Sequence, residues 1–551
     1  TVCYYLGQVP HELACLNCSL LFDPHKGVTR RGEYACPAGH KSQIVDAAKM
    51  HPEGKPLGFR MYAIEGYCPH CAEKTVRPNS RSVPGQAYLN AMTPPASCPD
   101  CQATVHRFYK APDRQDLQRY EDIAEEWDSS KEDAPWPKTS IHDYEKTNRL
   151  VIHNYRYWHQ LFNPRQLFTL TTILKAILAE PCQQLKEALL AAFLGTLEHH
   201  NMLNIYYVPY AQSAGAFGRH DFHPKVTVCE GNPWGGTKGR STFLRSFRAV
   251  CEGKEYLTNP YDARYTDGKR KKVYTGEEFA GHLAQNFTGL VEGEGNLLLG
   301  VQDARDLSFI PDEAIDHVVT DPPYADSVQY SELADFFYVW LREALLHDYP
   351  ELLAAKETPK ASELVQNEKR EKTQADFYEG LLSVFRECYR VLKPSGRLVF
   401  TFHHSRRSQW SDLLRVLLEA GFVIERTYPV HSEGTTSGNL VFHSNPNSIA
   451  YDIIHVCTKA REQVDGSRPT VRWNELKLQI RDEVGGHVKA IQSGSDDGQR
   501  ITQSDLEAMA WGECLEIFSK HYGRVSDSEG QPMSISQALK DVSGLVQDIL
   551  D

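Results

Sequence analysis

The stretch that most constrains this chain runs from Asp316 to Tyr330: Asp-His-Val-Val-Thr-Asp-Pro-Pro-Tyr-Ala-Asp-Ser-Val-Gln-Tyr. Ile315, Val318 and Val319 form a short apolar run of the kind that makes a buried strand. Asp321-Pro322-Pro323-Tyr324 ends it abruptly. Neither proline can donate to a sheet ladder, so the strand stops and the backbone leaves the sheet rigidly. A carboxylate, a stiff carbonyl and an aromatic face are then presented together at the carboxyl end of a strand, where open α/β sheets bind their ligands.

That grouping suits chemistry on a planar exocyclic amine. The Asp321 carboxylate can accept one N–H and the Pro322 carbonyl the other. Tyr324 can stack on the ring that carries the amine. Holding both hydrogens draws the nitrogen lone pair out of conjugation and frees it to attack an electrophile. The tetrapeptide resembles the signature of the amino-methyltransferases that act on adenine N6 or cytosine N4 in DNA.

A chain of 551 residues has room for about three domains and a sizeable core. Its net charge of −12 does not advertise nucleic acid, so a local basic patch would have to meet phosphate. No apolar run approaches the length of a membrane span and no signal peptide is recognisable, which points to a cytoplasmic protein that makes no membrane contact.

Fourteen cysteines are unevenly placed, with eight in the first 101 residues and six of those in Cys-x-x-Cys pairs. Paired cysteines in a large intracellular enzyme point to metal more than to disulfides. Cys15 and Cys18 are followed by Cys36 and His40, and Cys68 and Cys71 by Cys98 and Cys101. Two knuckles at a distance supply the four ligands of a tetrahedral zinc ion, so two structural Zn2+ sites are expected. His40 serves as the fourth ligand of the first, with Cys3 as the alternative. The other six cysteines, among them Cys182, Cys229 and Cys388, are expected to be buried core thiols.

In chain order, residues 1–106 read as a double zinc-ribbon module, which braces the domain more readily than it touches DNA. Residues 107–150 are polar and acidic and read as a linker over the surface. Residues 151–205 are helical. Asn163-Pro164 opens one helix, a second covers Leu185 to Leu197, and His199 and His200 at its end read as surface residues. Residues 206–290 are a basic, aromatic-rich insertion in which Arg219 to Lys272 carries twelve Lys and Arg against six Asp and Glu. Basic side chains with interleaved aromatics are what a DNA-contacting segment needs, and the run Lys269-Arg-Lys-Lys272 follows an Asp267-Gly268 turn.

Residues 291–460 read as the catalytic core. Strands are expected at 297–301, before Asp321, at 397–402, 422–430 and 451–458, with helices at 332–345, 377–392 and 410–420. The last two strands have no room for a crossover, so they should be antiparallel on a mostly parallel α/β sheet. Residues 461–551 form a C-terminal extension with helices near 504–521 and 535–551.

Taken together, the chain resembles the adenine-specific DNA methylases that contain a zinc ribbon. The resemblance rests on the cysteine knuckles, Asn163-Pro-Arg-Gln-Leu167, Glu230-Gly-Asn-Pro-Trp234, Asp303-Ala-Arg305, and Asp321-Pro-Pro-Tyr324 running into Phe336-Phe-Tyr-Val-Trp340. It implies a Rossmann-like methyltransferase sheet, S-adenosylmethionine as methyl donor, double-stranded DNA as partner, and a setting in restriction-modification or phage defence. Asp321, Pro322, Pro323 and Tyr324 would hold the target amine, while Asp303, Ala304 and Asp321 would belong to the cofactor site.

One departure matters. Relatives carry a glycine-rich loop after their first strand, and no such strand and loop precede Asn296 here. The nearest glycine clusters, Gly215–Gly218 and Gly293–Gly295, follow no convincing strand. The missing piece is expected from sequence upstream of Thr1 or from a partner subunit. Two rivals remain open: an N-methyltransferase acting on RNA or on protein glutamine, and a non-enzymatic zinc-ribbon DNA-binding component of a defence complex.

Overall fold

The structure is a computed structural model. It describes residues 2–10, 13–15, 17–18, 20–22, 33–43, 54–56, 58–67, 107–207, 212–217, 220–224, 228–235, 240–266, 269–278, 280–323, 325, 328–402, 407–431, 451–460, 470–494 and 501–550. The chain divides into two compact units, residues 1–280 with 329–361, and residues 281–328 with 362–551.

The first unit contains an antiparallel sheet of β1 (Val2–Pro10), β2 (Phe59–Tyr67), β3 (Arg107–Lys110) and β4 (Val228–Gly231), in the order β4-β1-β2-β3. Helix α1 (Arg114–Ser130) occupies much of the segment expected to be a linker. Asp113 and Asp116 cap its start reciprocally, and Trp127 anchors it in the core at 5% exposure. The acidic composition describes the wet face of a helix; one buried tryptophan holds the other.

Asn163 caps α2 (Pro164–Leu178) by accepting the Gln166 N–H at 2.8 Å, as the Asn-Pro pair foretells. Helix α3 (Gln183–Leu197) follows, and α4 (Phe243–Thr258) leads into a hairpin of β5 (Tyr261–Thr266) and β6 (Lys269–Tyr274). Helix α5 (Tyr330–Leu345) also belongs to this unit. Its Phe336 and Trp340, four residues apart on one face, pack on Phe162 at 5.7 and 5.4 Å. The continuous block expected over residues 291–460 is therefore interrupted.

His199 and His200 are buried at 6% and 1% exposure, not on the surface. Burial pushes their imidazoles down to about 3 and about 4, so both are neutral near pH 7. The His200 Nε2–H donates to the Arg240 and Ser241 carbonyls at 3.2 and 3.1 Å.

The second unit is built on a mixed sheet of β7 (Ile315–Thr320), β8 (Leu392–Phe402), β9 (Phe422–His431) and β10 (Tyr451–Lys459), in the order β7-β8-β10-β9. β7 and β8 are parallel, and β10 runs antiparallel to both β8 and β9. This is the α/β arrangement the sequence implies for these strands. Helices α6 (Gln374–Val391) and α7 (Arg407–Glu419) cover the face lined by Leu398, Phe400 and Phe402, with Phe385 5.5 Å from Phe400 and Trp410 5.1 Å from Phe402. The alternate residues Val399 and Thr401 are only half-buried.

Three C-terminal helices, α8 (Trp473–Gly494), α9 (Gln503–His521) and α10 (Ile535–Leu550), contribute to the same core. α9 is tied to β9 through Ser519, whose hydroxyl accepts the Ile424 N–H at 2.9 Å. The polar composition after residue 460 does not announce α8. Cys229, Cys388, Cys457 and Cys514 are buried as expected, but Cys182 and Cys251 are exposed. Among the described residues, no helix is long and apolar enough to cross a membrane.

Candidate amine-binding and metal sites

β7 and β8 pair in parallel, with Val319 opposite Val399 and Thr320 opposite Phe400. That register brings the next residue of each strand together at the carboxyl end, where the Thr401 hydroxyl donates to Asp321 Oδ1 at 2.5 Å. Asp321 is exposed, Pro322 is buried and Pro323 half-buried. A carboxylate fixed through one oxygen thus stands in solvent at the strand end, beside a backbone that two prolines stiffen. Sequence reasoning missed Thr401, because the register of two distant parallel strands is not written in either strand. Tyr324 lies outside the described residues. Ala325 is buried, and its carbonyl accepts the Gln366 N–H at 2.8 Å.

The expected strand over 297–301 does not form. Leu297 makes one isolated bridge to Leu283, while Leu299 and Val301 are 69% and 89% exposed. A strand needs a ladder partner, and none is available to it among the described residues. Asp303 consequently sits in a turn, with the Asp306 N–H donating to its carbonyl at 2.9 Å. Its carboxylate is gripped by the Arg305 guanidinium at 2.6 to 3.2 Å, and that hydrogen bonding holds it below the usual carboxylate range. Ala304 is exposed. Gly293 and Gly295 have local explanations: Gly293 takes φ 82° to end a short helix, and a Cβ on Gly295 would lie 2.5 Å from the Ala284 nitrogen.

β7 is the last strand of its sheet on one side. Its Val319 is 77% exposed, although the strand reads as a buried one. Exposed apolar residues therefore lie along β7 and along the 297–301 segment, both within the second unit.

The first cysteine group comes together as its spacing requires. One ligand atom each from Cys15, Cys18, Cys36 and His40 lies within 4.8 Å of every other. Two turns make the set: Cys15 N–H donates to Leu20 carbonyl at 3.0 Å, and Cys36 N–H to His40 carbonyl at 2.9 Å. His40 Nδ1 is 3.6 Å from Cys15 Sγ and 3.4 Å from Cys36 Sγ, and Cys18 Sγ is 3.9 Å from Cys36 Sγ. The edges of a tetrahedron around zinc, with bonds of about 2.3 Å to sulfur and about 2.1 Å to nitrogen, are about 3.8 and 3.6 Å. Burial raises the Cys15 thiol, but backbone donors of Asn17 and Cys18 and the neighbouring thiols outweigh it and bring it down to about 6. The donor set therefore fits a zinc ion. Cys68, Cys71, Cys98 and Cys101 lie outside the described residues.

No curated protein matches the chain significantly. A solved structure, that of a candidate DNA modification methylase from Thermus thermophilus, is similar at 16% identity over 45% of this chain and 94% of that one. The TM-score of 0.17 is too low to assign a common fold. Residues 315–509, from the first residue of β7 into α9, match the family model N6_N4_Mtase, described as DNA methylase.

Proposed function

We propose that this chain carries the amine-binding half of a DNA amino-methyltransferase that methylates adenine N6. The observation that supports it best is Asp321-Pro322 at the carboxyl end of β7, fixed by Thr401, within the stretch that matches a DNA methylase model. Asp321 accepts one N–H of the flipped base through Oδ2, since Oδ1 already receives Thr401. The Pro322 carbonyl accepts the other, and Tyr324 stacks on the ring. S-adenosylmethionine, when bound, supplies a methyl group on a sulfonium. As the amine nitrogen forms its new bond, Asp321 draws off the proton that the nitrogen must lose and passes it to water. No nucleophilic cysteine is needed.

The described residues fit only part of a cofactor site. Asp303 is committed to Arg305, and β7 ends the sheet with an apolar residue in water. Sheets containing parallel strands are ordinarily covered, and a bare apolar edge invites pairing. In this reading a further strand pairs with β7 on its free side, supplied by upstream sequence or by a partner subunit, and brings the rest of the cofactor cradle. Zinc at Cys15, Cys18, Cys36 and His40, and a second ion at Cys68, Cys71, Cys98 and Cys101, would brace the first unit.

The test is nucleoside mass spectrometry on duplex DNA incubated with the completed enzyme and S-adenosylmethionine. N6-methyladenine is the expected product. N4-methylcytosine would move the target to the other base, and methylation of RNA or protein glutamine alone would overturn the DNA reading.

A further inference from the structure

We propose that the β5–β6 ribbon enters the major groove of duplex DNA and is the protein's groove-reading element. This rests on DNA being the substrate.

Every described position of the ribbon beyond Tyr261 is exposed, on both faces. Tyr265 is 71% exposed, Tyr274 58% and Val273 44%. A two-stranded ribbon with neither face packed is marginal in water, so it contributes little to the core and stands out from it. Its base is fixed: the Thr275 N–H donates to the Pro260 carbonyl at 3.0 Å, and the rings of Tyr256, Tyr261 and Tyr274 meet edge-to-face at 5.2 and 6.0 Å.

The charge points to the occupant. Between Tyr261 and Tyr274 lie five Lys and Arg against two Asp, in a chain whose net charge is −12. Arg264 is registered directly opposite Lys271, and Arg270 opposite Tyr265. Like charges facing each other across a ladder work against the pairing, unless an anion lies over them. Among the described residues no carboxylate pairs with Arg264, Arg270, Lys271 or Lys272; Lys272 instead lies 4.0 Å from the centre of the Tyr261 ring. A polyanion satisfies all four at once.

Dimensions select the groove. Strands of six residues span about 20 Å. The major groove of B-form DNA, about 12 Å wide, admits a two-stranded ribbon, while the deep groove of A-form RNA does not. Arg264 and Arg270 carry the planar donor fork that matches a guanine edge, and Tyr265 offers an apolar face to a thymine methyl.

The experiment is fluorescence anisotropy of the 551-residue chain with a labelled DNA duplex over a salt series, without cofactor. The comparison is with the variant R264A/R270A/K271A/K272A, whose side chains are exposed and whose thermal midpoint should match the wild type. The variant should bind at least tenfold more weakly at low salt. The slope of log affinity against log salt should fall by roughly three to four, at about 0.9 per lost phosphate contact. Glucosylated hydroxymethylcytosine, which fills the major groove, should remove the ribbon-dependent part of binding, and netropsin in the minor groove should leave it. Unchanged affinity and slope, an equal loss on an RNA duplex, or displacement by netropsin alone would each overturn the proposal. Asp321→Ala should bind the duplex like the wild type. A ribbon that binds without methyl transfer would therefore fault the catalytic reading and not this one.

Discussion

Asp321 is held at one oxygen by Thr401, so the two residues should fail differently. Asp321→Ala removes the acceptor and should abolish methyl transfer while leaving duplex binding intact. Thr401→Val keeps the acceptor but releases it, and loss of positioning at that scale costs on the order of a hundredfold. Comparing kcat and KM for both variants checks this; a Thr401→Val enzyme with unchanged kcat would contradict the positioning role. His455 gives a second test at this scale. It is buried, stacked 5.0 Å from Phe400, and pushed down to about 4 by burial, partly offset by its hydrogen bond to the Ile453 carbonyl. Above about pH 6.5 it is neutral folded or unfolded and contributes no pH dependence. As pH falls through about 6.5 towards about 4, the unfolded chain takes up a proton that the folded one refuses, and stability falls by up to about 1.4 kcal/mol per pH unit. Denaturant melts at pH 7 and pH 5 should show a smaller drop for His455→Phe than for the wild type. Equal drops would mean that the imidazole titrates normally when folded. Of these residues the sequence displays Asp321 and hides the others. A proline pair after a strand is local information, but the Thr401 contact and the His455 burial arise only when β8 pairs with its neighbours.

At the scale of elements, the strands and helices that pair within one short stretch are legible. The Asn163 cap, the hydrophobic spacing of α2 and α3, and the antiparallel β9–β10 pair all follow from local pattern. The strand over 297–301 does not form, because strand formation depends on a neighbour. The burial of His199 and His200 is not legible either, since the groups that cover them come from distant sequence. The free edge of β7 carries its own prediction. The 551-residue chain alone should bind S-adenosylmethionine weakly or not at all by calorimetry, and gain binding when the completing strand is supplied. Val319→Glu, at a residue already in water, should leave the lone chain's stability within about 0.5 kcal/mol yet block that gain. Tight one-to-one binding by the lone chain would show that the cofactor site is already complete. For the cysteine knuckles, elemental analysis should find about two zinc ions per chain, and Cys36→Ser should lower folding yield more than it alters chemistry. A metal content near zero in well-folded protein would contradict the zinc assignment.

For the whole molecule, groove contact belongs to the ribbon of the first unit and amine binding to the strand end of the second. The central claim is that Asp321 holds a DNA amine for methyl transfer. The most direct measurement is the N6-methyladenine content of genomic DNA from cells that express the chain in its native coding context, compared with the same cells expressing Asp321→Ala. Methylated adenine is predicted with the wild type and none above background with Asp321→Ala. Equal methylation with both would contradict the claim.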